Sequence, residues 1–339
     1  MDFNLTEEQL MIQQAARDFA QTELLPGVIE RDNEQKFPYE QVKKMGELGF
    51  LGMMVDPKYG GAGMDSVSYV LAIEEIAKVD ASAAVVMSVN NSLVCAGLEK
   101  FASEEQKQKY LVPLAKGEVI GAFALSEPEA GSDATSQKTT AIDMGDHYLL
   151  NGTKNWITNG GNAQYYIVIA QTDVEKKHKG INAFIVEKGW EGFAIGKKEE
   201  KLGIRGSDTH SLMFTDVKVP KENRIGEDGF GFNFAMAVLN GGRIGIASQA
   251  LGIASGAYEL ALKYAKERKA FGTEIINHQA IAFKLADMHV NIMAARMLCY
   301  KAAAEKDAGL DISESGAMAK LYASEACVRI ANNALQIFG

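Results

Sequence analysis

The chain reads as an α+β multidomain protein with an N-terminal α-helical domain, a middle antiparallel β-domain and a C-terminal helical bundle that is incomplete. Three observations predict this. Helical spacing runs from the start to about Gly117, strand alternation replaces it from Val119 to about Pro220, and long helical segments fill the rest. The expected boundaries are 1–118, 119–225 and 226–339. A chain of 339 residues is long for a single core, and its 47% hydrophobic and 23% charged residues are an ordinary globular composition.

In the first block Thr6 and Gln9 make a capping box, with Glu7 and Glu8 in the first turn where the helix dipole favours negative charge. Ile12, Ala15, Ala16, Phe19 and Glu23 follow at helical spacing until Pro26. Pro38 opens a second helix with Val42, Met45 and Leu48 on one face. Tyr59-Gly60-Gly61-Ala62-Gly63 is a loop, 66–79 and 81–98 are helices, and Ser103 with Gln106 repeats the capping box before a helix closed by Lys116-Gly117.

In the second block Tyr148-Leu149-Leu150 runs into Asn151-Gly152, a pair that predicts a tight hairpin turn. Tyr165–Ala170, 183–186 and 211–214 are rich in β-branched and aromatic residues. No long helical pattern interrupts them, which disfavours a parallel α/β sheet. The third block offers helices over 234–269, 279–307 and 313–338, each longer than the globular mean. Three such helices with short connectors form an antiparallel bundle short of one member.

Composition excludes several function classes. The formal net charge is −9 without a lysine- or arginine-rich run, so nucleic acid and acidic membranes are not expected partners. Cys95, Cys299 and Cys327 are far apart, and the five histidines form no ligand set, so neither a disulfide framework nor a metal site is expected. No apolar run is expected to reach transmembrane length, and the acidic start Met1-Asp2-Phe3-Asn4-Leu5 has no signal core. The expected compartment is a reducing cytoplasm. Gly229-Phe230-Gly231 lacks the third glycine of a dinucleotide loop, and there is no P-loop or nucleophile elbow.

Two segments carry the functional signal: Ala122-Phe123-Ala124-Leu125-Ser126-Glu127-Pro128-Glu129-Ala130-Gly131-Ser132-Asp133, and Asn155-Trp156-Ile157-Thr158-Asn159-Gly160-Gly161. Taken alone, Trp156-Ile157-Thr158 is an ordinary strand and Gly131-Ser132-Asp133 a turn. Glu127 and Glu129 suggest a paired-carboxylate site, but solvated loop carboxylates are the expectation for both. Together the segments resemble the flavin-binding signatures of the acyl-CoA dehydrogenase family, and the α, β, α order matches that family's layout. Asn240-Gly241-Gly242-Arg243-Ile244-Gly245 and Glu267-Arg268-Lys269-Ala270-Phe271-Gly272 are most similar to the wording of its bacterial short-chain, butyryl-CoA-type members.

The resemblance implies FAD as cofactor and a set of roles. Ser126, with backbone groups near Phe123 and Leu125, would place donors at flavin N1, where reduction leaves negative charge. Thr158 would face N5, Trp156 would shield the ring, and Gly131 with Ser132 would approach a phosphate. Arg268, Phe271, Gln279, Gln336 and Gly339 would reach the FAD of a neighbouring subunit, which implies a homo-oligomer, typically a dimer of dimers. Without the family, an ion pair with Glu267 is the favoured reading of Arg268. Ser132, Asp133, Asp208 and Arg243 would lie along the acyl-CoA cleft, with Arg243 in a supporting role.

The implied reaction oxidises a short-chain acyl-CoA to the trans-2-enoyl thioester and passes electrons to an electron-transferring flavoprotein. An acyl-CoA oxidase is the alternative among enzymes. The family's base is a glutamate past the Gln-Ile-Phe-Gly-Gly motif, whose first glycine is Gly339 here, and the family's second base position is occupied by Gly242. No catalytic base is therefore expected within this sequence. Either the chain is C-terminally truncated, the favoured reading because the last helix stops without a cap, or it is a scaffold that holds FAD and acyl-CoA without turnover.

Overall fold

The computed structural model describes Asn4–Gly339; Met1, Asp2 and Phe3, part of the acidic start, lie outside the described residues. The chain divides into two compact units, one of residues 1–28, 65–85 and 243–339, the other of residues 29–64 and 86–242.

The first unit is helical. Glu7–Phe19 begins on the expected capping box, Thr6 accepting from the Gln9 N–H and the Gln9 side chain accepting from the Thr6 N–H. Gln279–Asp307 and Ser313–Phe338 have the expected bounds, and the preceding helix spans Gly231–Glu267. Val67 and Val70, on the helix Ser66–Ala77, join the apolar core formed by residues of the three long helices. Sequence spacing missed this contact because that helix lies more than 160 residues upstream, counting from Ala77 to Arg243 where the helical part of the chain resumes.

Close approach makes room for that helix. A Cβ at Gly252 would fall 2.5 Å from the Glu74 carbonyl oxygen and 2.6 Å from the Ala77 Cβ, so only glycine lets the backbones come this near. Ser66–Ala77 also carries two acids into the interior, and each has cationic partners. Glu74, 1% exposed, receives the Arg296 guanidinium through Nη2 at 2.5 Å and Nε at 3.3 Å, with Ser255 Oγ donating at 3.1 Å. Glu75 is held by Arg17 and Lys78. Burial pushes the Glu75 carboxyl up, and those two cations overcome it, leaving it below the ordinary value.

The second unit is built on an eight-stranded sheet: β1 (Gly121–Ala124), β2 (Thr140–Asp143), β3 (His147–Thr158), β4 (Tyr165–Gln171), β5 (Ile181–Glu187), β6 (Phe193–Lys198), β7 (Thr209–Pro220) and β8 (Arg224–Ile225). The order is β6-β7-β3-β2-β4-β5-β8, with β1 beside β4. The expectation of an antiparallel sheet holds for most pairs, but β1 runs parallel to β4 and β2 meets β4 in parallel at Thr140 and Gln171. The chain makes the crossover with the β2–β3 hairpin rather than a helix, so no helical pattern announced it.

Asn151-Gly152 is not a turn. It lies inside β3, where the register against β7 shifts between Leu150 and Gly152, a β-bulge. Gly152 has φ 145°, and a Cβ there would come within 2.7 Å of the Thr139 Cα. The glycine serves a close backbone approach, not a reversal.

The helical segment Ala81–Phe101 extends past the expected end at residue 98, with a π-helical turn at Val89–Cys95. It also corrects the expectation that no apolar run reaches transmembrane length: its mean hydropathy is 1.5, and 78% of its most apolar window is buried, as in a core helix. Within the π turn Asn90 donates to the Leu51 and Leu114 carbonyls and accepts from Gly121 N–H, fixing where β1 begins. Leu48 does not share the buried face of Val42 and Met45; it is 59% exposed, at the C-cap of Tyr39–Glu47.

Replacing Arg296 with Met would leave the Glu74 charge buried without its cation. Loss of one partner of such a pair is expected to cost about 3–5 kcal/mol in equilibrium denaturation. A loss below about 1 kcal/mol would place this pair with solvent-exposed ones.

Candidate active site

The two signature segments lie side by side in the sheet unit. β1 ends at Ala124, paired with Val168, and the chain then runs along β3. Three contacts hold it there. Gly121 O accepts from Asn159 Nδ2 at 3.0 Å, Leu125 O from Lys154 Nζ at 3.0 Å, and Ser126 O from Asn155 N–H at 2.9 Å. Both segments thus form one structure, although they are separated in sequence.

Lys154 is the buried centre of it. Its side chain is fully buried, and Nζ also meets Glu127 Oε1 at 2.7 Å and Gln137 Oε1 at 3.0 Å. Glu127, 3% exposed, accepts in addition from Lys138 N–H at 2.6 Å and Thr139 N–H at 3.1 Å. The expectation of a solvated carboxylate is wrong for Glu127, because a buried ammonium required a counter-charge. Glu129 is exposed, as expected. Burial pushes the Lys154 ammonium down, to about 8, against the opposing pull of Glu127. Burial raises Glu127, and Lys154 with the two backbone donors brings it below the ordinary carboxylate value.

β3 bulges again between Lys154 and Ile157, and Trp156 adopts φ 63°, a left-handed conformation costing about 1–3 kcal/mol for a non-glycine residue. The result is an indole 61% exposed on a strand whose neighbours Lys154 and Ile157 are buried. Thr158 follows, back in register with Thr209. Among the described residues, neither the N–H nor the hydroxyl of Ser126 donates to a protein atom, and the Thr158 hydroxyl has no protein partner.

Asp208 is buried, and its carboxylate is fully engaged. It accepts from Gly161 N–H and Asn162 Nδ2, both at 2.8 Å, and contacts His210 Nε2 at 2.7 Å. It clamps the turn that follows Thr158. Gly131, Ser132 and Asp133 are exposed, and Asp133 accepts from the hydroxyls of Thr135 and Ser136.

The remaining candidates belong to the helical unit. The turn Phe271-Gly272 joins the strands Lys269–Ala270 and Thr273–Glu274, just past Arg268 and before the helix starting at Gln279. Phe271 is 97% exposed with φ 55°, and its ring lies edge-on to His278 at 5.9 Å. The rings of Tyr264 and Phe338, 4.5 Å apart, bring Gln336 and Gly339 to this end of the helices. Among the described residues Arg268 makes no ion pair, so the Glu267 pairing is not formed. Arg243 is half-buried in Gly231–Glu267, beside Gly242, where a Cβ would meet Leu93 Cδ2 at 2.7 Å.

Comparison with known proteins agrees with the resemblance. The chain matches "Acyl-CoA dehydrogenase, N-terminal domain" over residues 6–118, the middle domain over 122–217 and the C-terminal domain over 229–339. The chain belongs to the acyl-CoA dehydrogenase family. It is 51% identical to "Acyl-CoA dehydrogenase, short-chain specific" of Clostridium acetobutylicum over all 339 residues, 89% of that relative. The solved butyryl-CoA dehydrogenase of Megasphaera elsdenii superposes with a TM-score of 0.98 at 48% identity, covering all of this chain and 90% of that one. A chain described under "Electron transferring flavoprotein of Acidaminococcus fermentans: Towards a mechanism of flavin-based electron bifurcation" gives 0.99 at 50% identity, covering all of this chain and 89% of that one. These matches give the expected C-terminal truncation no support.

An acyl-CoA dehydrogenase is an oxidoreductase acting on a CH–CH bond, with FAD as its cofactor. The residues here fit that group. Unpartnered donors at Ser126 and Thr158, and an exposed indole between them on a strained bulge, are what a planar, hydrogen-bonding ring requires. Sequence reading missed Lys154, Asn155 and Asn159 as supports. One signal was present: Lys154 falls among the inward positions of β3 with Tyr148, Leu150 and Ile157.

Glu127 contributes stability that is fully present above its unfolded value of 4.5 and is lost as pH falls through its lower folded value. Acid unfolding of the wild type should therefore steepen below about pH 4.5, and Glu127→Gln should flatten that limb while costing about 3–5 kcal/mol near neutrality. Equal acid slopes for the two proteins would show that the pair does not set this dependence.

Proposed function

We propose that this chain provides the FAD and acyl-CoA site at which a short-chain, butyryl-like acyl-CoA is dehydrogenated to the trans-2-enoyl thioester, with electrons delivered onward to an electron-transferring flavoprotein. The observation that carries the reading is the row of unpartnered donors and exposed indole at Ser126, Trp156 and Thr158. The short-chain substrate is supported by the names of the Clostridium and Megasphaera proteins, and the electron acceptor by that of the Acidaminococcus structure.

In the reaction a proton leaves C2 and a hydride leaves C3, forming the C2–C3 double bond. FAD, when bound, supplies the two-electron acceptor. Ser126 would hold it through its N–H and hydroxyl on the side where charge develops, Thr158 would donate beside the accepting nitrogen, and Trp156 would cover the ring and exclude water. Phe123 and Leu125 would contribute backbone, and Gly131 with Ser132 a phosphate approach. Arg268, Phe271, Gln279, Gln336 and Gly339 would reach the cofactor of a neighbouring subunit in a dimer of dimers, in the cytoplasm.

Ser132, Asp133 and Arg243 would line the thioester's path. Asp208 would act on it through the turn it clamps, since its oxygens are occupied. We assign the proton abstraction to no residue of this sequence. Gly242 has no side chain to take a proton, and the oxygens of Glu127 are committed to Lys154 and two backbone donors.

The test is an anaerobic titration of the FAD-loaded 339-residue chain with butyryl-CoA. A shifted but unbleached flavin band is expected, together with quenching of Trp156 emission when FAD binds. Bleaching would show that a residue of this sequence takes the proton, rapid aerobic peroxide would favour an oxidase, and failure to bind FAD would overturn the site.

A further inference from the structure

The Lys154–Glu127 pair lies directly behind the backbone whose outer face carries the Ser126 donors. Lys154 Nζ is bonded to Leu125 O at 3.0 Å, and that carbonyl belongs to the same peptide unit as the Ser126 N–H. In a planar trans peptide the two groups point in opposite directions. With the carbonyl fixed by Lys154, the Ser126 N–H is directed away from the Lys154 ammonium. The next carbonyl, Ser126 O, is fixed by Asn155 N–H, so the segment cannot rotate about this peptide without breaking both bonds. A hydrogen bond from an ammonium to a carbonyl also polarises the peptide and strengthens its N–H as a donor.

We infer that Lys154 is a positioning residue for FAD: its buried ammonium, balanced by Glu127, aims and polarises the Leu125–Ser126 peptide toward the flavin side where negative charge develops on reduction. The inference rests on the FAD reading of Ser126 and adds to it two residues that touch neither cofactor nor substrate. Loss of either charge should act in the same direction. Without the cation at 154 the anionic side of the reduced ring loses stabilisation; without the anion at 127 burial pushes the Lys154 ammonium further down, and part of the same stabilisation goes with its charge.

The test compares the wild-type chain with Lys154→Met, Glu127→Gln and Glu74→Gln, the last breaking a buried ion pair of the helical unit as a destabilised control. Each is measured for melting temperature, for FAD affinity by titration of the apoprotein, and for the midpoint potential of bound FAD. Lys154→Met should bind FAD more weakly by on the order of 10–100-fold, the effect of a lost alignment, and its potential should fall. Glu127→Gln, which retains an acceptor for Lys154, should bind closer to wild type, and its potential should fall by less than that of Lys154→Met. Glu74→Gln should melt earlier with affinity and potential unchanged.

An unchanged or raised potential in Lys154→Met would overturn the inference and leave the pair as a structural brace. If Lys154→Met fails to fold, an unchanged or raised potential in Glu127→Gln does the same. Failure of the wild-type apoprotein to bind FAD would instead overturn the site reading on which the inference rests.

Discussion

A lysine occupies the middle sheet where alternation calls for an apolar side chain, and Lys154 can stay there because Glu127 does. A buried ammonium without a counter-charge would cost several kcal/mol, so the chain after β1 must fold back until a carboxylate reaches it. That requirement shapes the segment from Leu125 to Thr139. Glu127 receives the ammonium and the N–H groups of Lys138 and Thr139, while Leu125 and Ser126 give their carbonyls to Lys154 and Asn155. What stays unbonded faces the other way: the Ser126 donors and, across the second bulge of β3, the Trp156 indole and Thr158 hydroxyl. Satisfaction of the inner polar groups and exposure of the outer ones are two aspects of one arrangement.

The helical unit meets the same demand differently. Ser66–Ala77 is almost entirely buried yet carries Glu74 and Glu75, and each acid is met by a cation from a distant helix, Arg296 or Arg17. Gly252 lets the helix Gly231–Glu267 approach Ser66–Ala77 closely, and Ser255 of the same helix donates to Glu74. Core packing and polar satisfaction are therefore coupled there: a larger residue at 252 would separate these two helices and strain the Ser255–Glu74 bond.

Much of this was legible in sequence where the cause is local. The capping boxes at Thr6 and Ser103, and the helices Gln279–Asp307 and Ser313–Phe338, appeared as read, because caps and periodicity act within a few residues. Asn151-Gly152 misled for the complementary reason. The dipeptide permits a turn, but Thr139 packed against its backbone, and strand pairing on both sides turned it into a bulge. The Phe123–Ser126 and Trp156–Thr158 segments could be singled out by resemblance; the bonds that make them one structure could not.

The sequence by itself determined the α, β, α order, since periodicity is a local pattern, and its resemblance to a known family carried the family and the cofactor. Tertiary structure alone decided that Ser66–Ala77 packs on the core of the long helices, that β1 lies parallel to β4, that Glu127 is buried and that Trp156 is strained and exposed. Each of those outcomes follows from a partner far away in the chain, and a buried charge, a close helix contact or a bulge has no local signature until that partner is in place.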